Sequence, residues 1–309
     1  MKIVVTGSIA YDYLMSFPGK FTEHILPEHI HRISLSFLVD TMDKRRGGCA
    51  PNIAYTLALL GERPLLMATA GEDFGEYRTW LEAAGVDTSG VKQIAGKFSA
   101  SFFCSTDENN NQIASFYTGA MAHAGELSFR SVGGGDIAII SPNDPGAMVQ
   151  YADESRALGM RYIFDPGQQC ARMSGDELRE GVVGAAIVIC NDYEYEILKQ
   201  KTGLGEREIL EKAGALVITR GENGSTILTG LTTPERVDVH AVAPRRIVDP
   251  TGVGDAFRGG FLKGMALEHQ LPTCAQMGSV AATYALEHLG GQGHAYTWDE
   301  FRQRYEQNY

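Results

Sequence analysis

Short β-branched runs alternate with helix-period segments along most of this chain, and that alternation restricts the fold more than any other feature. The runs lie at residues 3–6, 65–69, 136–141, 162–165, 186–190 and 216–219. Each is short, apolar and followed by a turn signal, which is the pattern of a buried strand. Between them, residues 51–60, 77–84, 146–158 and 192–201 carry apolar side chains at helical spacing, with Gly61, Gly85, Gly159 and Gly203 just beyond. Glycine there stops a helix because it takes the left-handed conformation without a steric penalty. Strand, helix and strand in succession call for an α/β fold, a mostly parallel central sheet with helices on both faces. Ligands of such sheets bind at the carboxyl ends of the strands.

Two stretches break the alternation. Residues 33–39 alternate loosely, and residues 98–106 and 113–118 flank the polar turn 107–111 as a hairpin would. Neither supports a domain of its own, so both are expected in a small antiparallel β-sheet lid whose closure excludes water from the ligand edge. The expected division assigns 1–10, 47–95 and 120–309 to the large α/β body, and 11–46 and 96–119 to the lid. From about Pro272 the chain is helical again, through 281–286 and, after Gly290 and Gly291, through 298–305. One small sheet can hardly bury its apolar faces alone, which suggests a homodimer pairing lid to lid.

With 309 residues the chain can bury a full core, as one large domain with an elaboration or as two domains. Its net charge is −11, from 38 acidic and 27 basic residues, and no basic run exceeds Lys44-Arg45-Arg46. A nucleic-acid partner is therefore not expected, and small anions must be met by local backbone dipoles. The 5 cysteines are scattered and form no CxxC pair, which fits buried thiols in a reducing cytoplasm and neither zinc nor a disulfide framework. The apolar run at the N-terminus is too short for a signal peptide, and no segment has the length of a membrane span. A soluble, cytoplasmic protein with no membrane partner is expected.

The chemistry-bearing motif is DPTGVGDAF at 249–257, a Gly-x-Gly turn ahead of an acid and a helical run. Gly252 and Gly254 let the backbone turn so that the amides of Gly252, Val253, Gly254 and Asp255 converge at a helix N-terminus, a cradle that fits a phosphoryl group. Asp255 reads either as a helix cap or as a general base beside that group. Arg258 opposes the helix dipole and needs a partner, either Asp255 or a phosphate oxygen. Gly48 and Asn52 open a helix where backbone can approach a hydroxylated ligand, unless the pair is a plain turn. Asp12, just past the first strand, can accept from two neighbouring hydroxyls or stay solvated.

Asn191 and Glu194 stand three apart at a helix start, as a reciprocal cap or as organisers of magnesium and its waters near nucleotide phosphates. Thr219, Gly221 and Gly224 leave another strand, either toward a nucleotide or into a hairpin. His24, His29 and His31 lie in a polar stretch and read as solvated. A GxxxxGK[ST] loop, a GxSxG elbow and an HExxH helix are all missing from the sequence, and Gly252-Val253-Gly254 lacks the third glycine and preceding strand of a dinucleotide fingerprint. Oxidoreductase and hydrolase chemistry lose support.

Taken together, the glycine pair with Asn52, the NxxE at 191–194 and DPTGVGDAF resemble, in order and spacing, the ribokinase-like, phosphofructokinase-B-type family of carbohydrate and nucleoside kinases. Pro250 and Val253 stand where that family usually has Thr and Ala. A more specific likeness, to the bacterial adenosine kinases of the family, is carried by VTGSIAYDYLMSFPGKF from residue 5, LPEHIHRISLSFLVD from 26, IASFYTGAM from 113 and DPTGVGDAFRGGFL from 249. The resemblance implies a ribokinase-like α/β core with a β-lid, ATP and magnesium, and it leaves a monovalent cation as an open addition. It implies that Ser8, Asp12, Ser36, Gly48 and Asn52 line a nucleoside site, that Phe102 and Phe116 flank an adenine, and that Gln168 and Gln169 belong to the site. Thr219, Gly221, Gly224, Asn191 and Arg258 would meet ATP. The implied reaction is transfer of the γ-phosphate of ATP to the 5′-hydroxyl of adenosine, with Asp255 as base. A sugar kinase of the same fold, and a sensor that binds nucleoside without turning it over, are the rival readings.

Overall fold

The expected buried strands pair side by side in a computed structural model that describes residues 1–25, 31–32, 34–231, 233 and 235–309. In chain order the strands are β1 (Ile3–Thr6), β2 (Ala10–Ser16), β3 (Thr41–Gly47), β4 (Leu65–Ala70), β5 (Val91–Gln93), β6 (Ala100–Thr106), β7 (Gln112–Tyr117), β8 (Ile137–Ile140), β9 (Arg161–Phe164), β10 (Ile187–Asn191), β11 (Ala215–Thr219), β12 (Ser225–Thr229) and β13 (Glu235–Val239). The α-helices are α1 (Cys49–Leu59), α2 (Gly75–Ala84), α3 (Pro145–Leu158), α4 (Gly175–Val182), α5 (Asp192–Thr202), α6 (Glu206–Leu210), α7 (Val253–Ala266), α8 (Leu271–Leu286) and α9 (Trp298–Glu306).

Among the described residues the main sheet has 9 strands in the order β13-β12-β11-β10-β9-β8-β1-β4-β5. From β5 to β11 every neighbouring pair is parallel, and only the β12 pairings are antiparallel. Successive side chains on a strand point to opposite faces, so each strand feeds two cores. Val4, Ala138, Tyr162 and Val188 pack on one face with α3, α4 and α5. Ile3, Val5, Ile137 and Ile139 pack on the other with α1, α7 and α8. Full burial of each such aliphatic side chain stabilises the fold by roughly 1.5–3 kcal/mol. Gly85, Gly159 and Gly203 end α2, α3 and α5 in the left-handed conformation, at φ of 104°, 64° and 72°.

The second sheet is separate and small, ordered β3-β2-β6-β7. It departs from expectation in two ways. β2 and β6 run parallel, so the sheet is mixed rather than antiparallel throughout. Residues 34–39 form no strand, and Ile33 lies outside the described residues. The sheet is built instead from β2 and β3, whose pairing with each other supplies the ladder that 33–39 was expected to give. Beyond Thr219 the chain does make a hairpin, Thr219 pairing with Ser225 across β11 and β12. His29 lies outside the described residues, and Leu26 to Ile30 as a whole are not described.

Candidate active site

The carboxyl ends of β1, β8, β9, β10 and β11 deliver Ser8, Pro142, Asp165, Asn191 and Thr219 to one cavity of about 710 Å3. Asp12 from β2, Phe102 from β6 and Phe116 from β7 wall it from the small sheet. The amino ends of α1 and α7 close it with Gly48, Cys49 and Asn52, and with Gly252, Gly254 and Asp255. Gln168, Gln169, Glu194 and Arg258 complete the sequence-derived set that the cavity gathers.

Two glycines make this convergence sterically feasible. Gly48 has φ of +95°, and a Cβ there would lie 2.4 Å from the Ser8 carbonyl oxygen. Gly252 caps α7 at φ of +75°, where a Cβ would lie 2.6 Å from Cα of Gly291. Among the described residues no side chain caps α7, and while the Val253 amide donates to the Pro250 carbonyl at 3.3 Å, the next amides, of Gly254 and Asp255, can face an anion. Deeper in, Gly259 lets α7 approach α1 closely, since a Cβ there would meet the Thr56 side chain at 2.7 Å. That approach brings Asn52 and Asp255 together, with Nδ2 of Asn52 donating to Oδ2 of Asp255 at 2.9 Å.

Burial raises the proton affinity of Asp255, while Arg258 and the bond from Asn52 oppose the rise. Burial likewise pushes Asp12 up to about 6, against the pull of Arg45. A carboxylate whose desolvation is only partly compensated is a better base than one in water. Arg258 answers its sequence puzzle with a third partner: it is buried and ion-paired with Asp165 at the end of β9. Burial raises the proton affinity of Asp165 to about 7 with Arg258 opposing the rise, while Asp165 in turn holds the Arg258 guanidinium protonated against its own burial.

Asn191 and Glu194 do form the reciprocal cap, with Glu194 N donating to Asn191 Oδ1 at 2.7 Å and Asn191 N donating to Glu194 Oε2 at 2.8 Å. Both still line the cavity, and the cap engages one carboxylate oxygen of Glu194. Among the described residues no cluster of three or more His, Cys, Asp or Glu side chains could cage a metal. These donors fit magnesium, which is held largely by waters and phosphates. Asp249 accepts from Arg45 at 3.2 Å and from the amides of Thr251 and Gly290 at 2.9 Å each, so its charge is met from within the chain.

Val253, Gly221 and Gly224 line a second, largely apolar cavity of about 550 Å3 with Val242, Ile247 and Ala282. It adjoins the first, and Asn191, Thr219 and Gly254 border both. Ser36 is not brought to either: it is exposed in the strand-free segment 34–39, which does not fold against the cavity. The cavity also takes in Asp165, Arg172, Thr251 and Met121, which sequence reasoning passed over. The place of Asp165 just past a buried strand was a usable signal for it. A larger concavity, about 1240 Å3, opens at the opposite, amino-terminal edge of β1, β8 and β9, and none of the sequence-derived site residues lines it.

A mostly parallel sheet flanked by helices, a separate small sheet and a glycine turn beside a carboxylate define a ribokinase-like α/β fold. The chain belongs to the pfkB family of carbohydrate kinases, whose family model matches residues 8–298. It is similar to the Burkholderia thailandensis nucleoside kinase solved in complex with inosine, at 39% identity and a TM-score of 0.84 over 99% of this chain and 98% of that one. The nucleoside kinase of Methanocaldococcus jannaschii is 28% identical over an alignment of 310 positions that covers 99% of this chain and 97% of that one. The cytidine kinase of Thermococcus kodakarensis is 30% identical over 266 residues, 82% of this chain and 94% of that one. Among the described residues no helix is long and apolar enough to cross a membrane.

Proposed function

We propose that this chain is an ATP-dependent nucleoside kinase that transfers the γ-phosphate to the 5′-hydroxyl of adenosine, giving AMP for purine salvage in the cytoplasm. One observation carries the reading: the turn at Gly252 and Gly254, with Asp255, opens into the same cavity as the opposed rings of Phe102 and Phe116. A phosphoryl acceptor with a flat base satisfies both, whereas a sugar would leave the rings unused.

In this reading Asp255 takes the proton of the 5′-hydroxyl as that oxygen bonds to the γ-phosphorus and the bond to ADP breaks. The first amides of α7 meet the charge that builds on the phosphoryl oxygens. Asp12 accepts from the ribose hydroxyls, and Ser8, Gly48, Asn52, Gln168 and Gln169 shape the rest of the nucleoside pocket. The base of ATP takes the adjoining apolar cavity at Gly221, Gly224 and Val253. Magnesium would sit by Asn191 and Glu194 and neutralise phosphate charge. Most of the rate then comes from positioning.

Relatives named as nucleoside kinases, one of them in complex with inosine, support a nucleoside acceptor. The apolar side chains exposed on the small sheet, Met42, Ile113 and Tyr117 among them, support pairing of two copies through it; a single-chain mass by light scattering at every concentration would remove that part. A coupled assay with ATP, magnesium and a panel of nucleosides and sugars tests the acceptor. Phosphorylation of adenosine ahead of every sugar is expected; preference for a sugar would replace the reading with the carbohydrate alternative.

A further inference from the structure

Asp255 ends a chain of side-chain hydrogen bonds that begins on another helix and has a fixed direction. Trp80 on α2 donates its indole N–H to Oε1 of Gln292 at 3.0 Å. Indole can only donate, so the Gln292 amide must turn its oxygen toward Trp80 and its NH2 the other way. That NH2 donates to Oδ1 of Asn52 at 2.9 Å and also to the Tyr77 hydroxyl. The Tyr77 hydroxyl spends its own proton on the Gly47 carbonyl at 3.0 Å, so it too can only accept from Gln292. With its oxygen taken, Asn52 must present Nδ2 to Asp255.

Amide orientation in proteins is ordinarily inferred from the surrounding network. Here a donor-only indole at one end and an acceptor-only carbonyl at the other fix it twice over. Beyond Trp80 the chain is also shielded from competing water: Tyr77 is fully buried, and Asn52 and Gln292 are 4% and 8% exposed. Gly291 packs against the Asn52 amide, where a Cβ would lie 2.6 Å from Nδ2, so only glycine leaves room for the amide in this place.

We infer that Gln292 and Trp80 are positioning residues, which fix the Asn52 amide so that it always donates to Oδ2 of Asp255 and leaves Oδ1 to meet the acceptor hydroxyl. The inference rests on the reading of Asp255 as the base. Its consequence is twofold. Oδ2 is held as an acceptor from Asn52 and the Cys49 thiol also hydrogen-bonds the carboxylate, so the proton taken from substrate goes to the oxygen that Asn52 leaves open. The donated N–H also favours the ionised carboxylate, which burial alone would disfavour. The other charged or titratable groups near Asp255 are Arg258 on its own helix, Cys49 on α1, Glu194 on α5, Asp165 after β9 and Asp12 on β2.

Two variants test it. Gln292→Glu keeps the shape but, when ionised, offers Asn52 only acceptor oxygens, so the Asn52 amide turns over and presents its oxygen to Asp255. Trp80→Phe keeps an aromatic ring at a position 37% exposed and removes only the N–H, so it reads the relay even if the first variant fails to fold. With ATP, magnesium and the best nucleoside, we expect kcat to fall roughly tenfold in Gln292→Glu and about threefold in Trp80→Phe, with acceptor KM within about twofold. The acid limb of the kcat–pH profile should move upward in both, by roughly half a pH unit or more in Gln292→Glu. A merely structural role would lower the melting temperature and leave the profile in place, and that result in folded variants overturns the inference. An Asp255→Asn control separates the levels. If it is inactive while both relay variants keep the parental profile, the relay alone fails; if it keeps near-native turnover, the base reading fails and takes the relay with it.

Discussion

Phe102 on β6 stands directly across the strand pair from Phe116 on β7, and both rings line the cavity that holds Asp255. Directly opposed residues share a sheet face, so the two rings present to the same side of the cavity. Phe103, the next residue, points to the other face and stacks on Tyr13 at 4.7 Å. Replacing Phe102 and Phe116 together with Ala should weaken adenosine binding by about 10- to 100-fold, with ATP affinity little changed. Phe103→Ala should leave adenosine affinity within about threefold, because its contacts lie within the sheet. Calorimetric titration of adenosine reads both; equal losses from the two changes would put the base elsewhere.

Much of the main sheet was legible in the sequence because its strands are buried on both faces. A run such as 137–140, Ile-Ala-Ile-Ile, has no competing reading, and the glycines at 85, 159 and 203 mark helix ends by a conformation few other residues take. The small sheet was harder to read. β3 is TMDKRRG, mostly exposed and strongly charged, so its strand character comes from the ladder with β2 rather than from any apolar alternation. Residues 34–39 had the alternation and found no partner strand.

The candidate site divides the same way. Asp255, Asn52 and the two glycines sit in local motifs, and so could be found. The Arg258 partner, Asp165, lies 93 residues away, and Gln292 lies 240 residues from Asn52. No local pattern encodes such meetings; they follow from α7 packing against α1 and from the strand order.

Asp12 carries a pH dependence that can be separated from that of the base. Its carboxyl is raised to about 6 by burial, with Arg45 opposing and Asp249 and Asp255 adding to the rise. An ionised carboxylate accepts from two ribose hydroxyls and a protonated one does so poorly, so binding weakens as the pH drops through that value. Acceptor KM should be flat above about pH 7 and climb toward tenfold per pH unit well below about 6. Asp12→Asn should raise KM at neutral pH and flatten the climb. A KM that stays level down to about pH 5 in the parent protein would contradict the role given to Asp12.

His294 predicts how the fold responds to acid. It is fully buried, and burial depresses its pKa from 6.5 to about 4. The unfolded chain therefore binds a proton at this residue below about 6.5 that the folded chain refuses until about 4, so stability is lost as the pH falls across that window. The loss attributable to this one group is about 3 kcal/mol, since every tenfold difference in proton affinity between the folded and unfolded chain corresponds to about 1.4 kcal/mol. Urea midpoints of the parent and of His294→Gln, compared between about pH 7 and 4, isolate this contribution. The parent should lose more stability on acidification than the variant; parallel curves would show that the imidazole is not held neutral.

Turnover by Asp255→Asn, measured with adenosine, ATP and magnesium beside the parent protein, tests the assignment of the base most directly. The parent should form AMP, and the variant should bind adenosine nearly as well while its kcat drops by roughly 10² to 10⁴. A folded variant that phosphorylates adenosine at close to the parental rate would contradict the role of Asp255 as the base and, with it, the reaction proposed for the cavity.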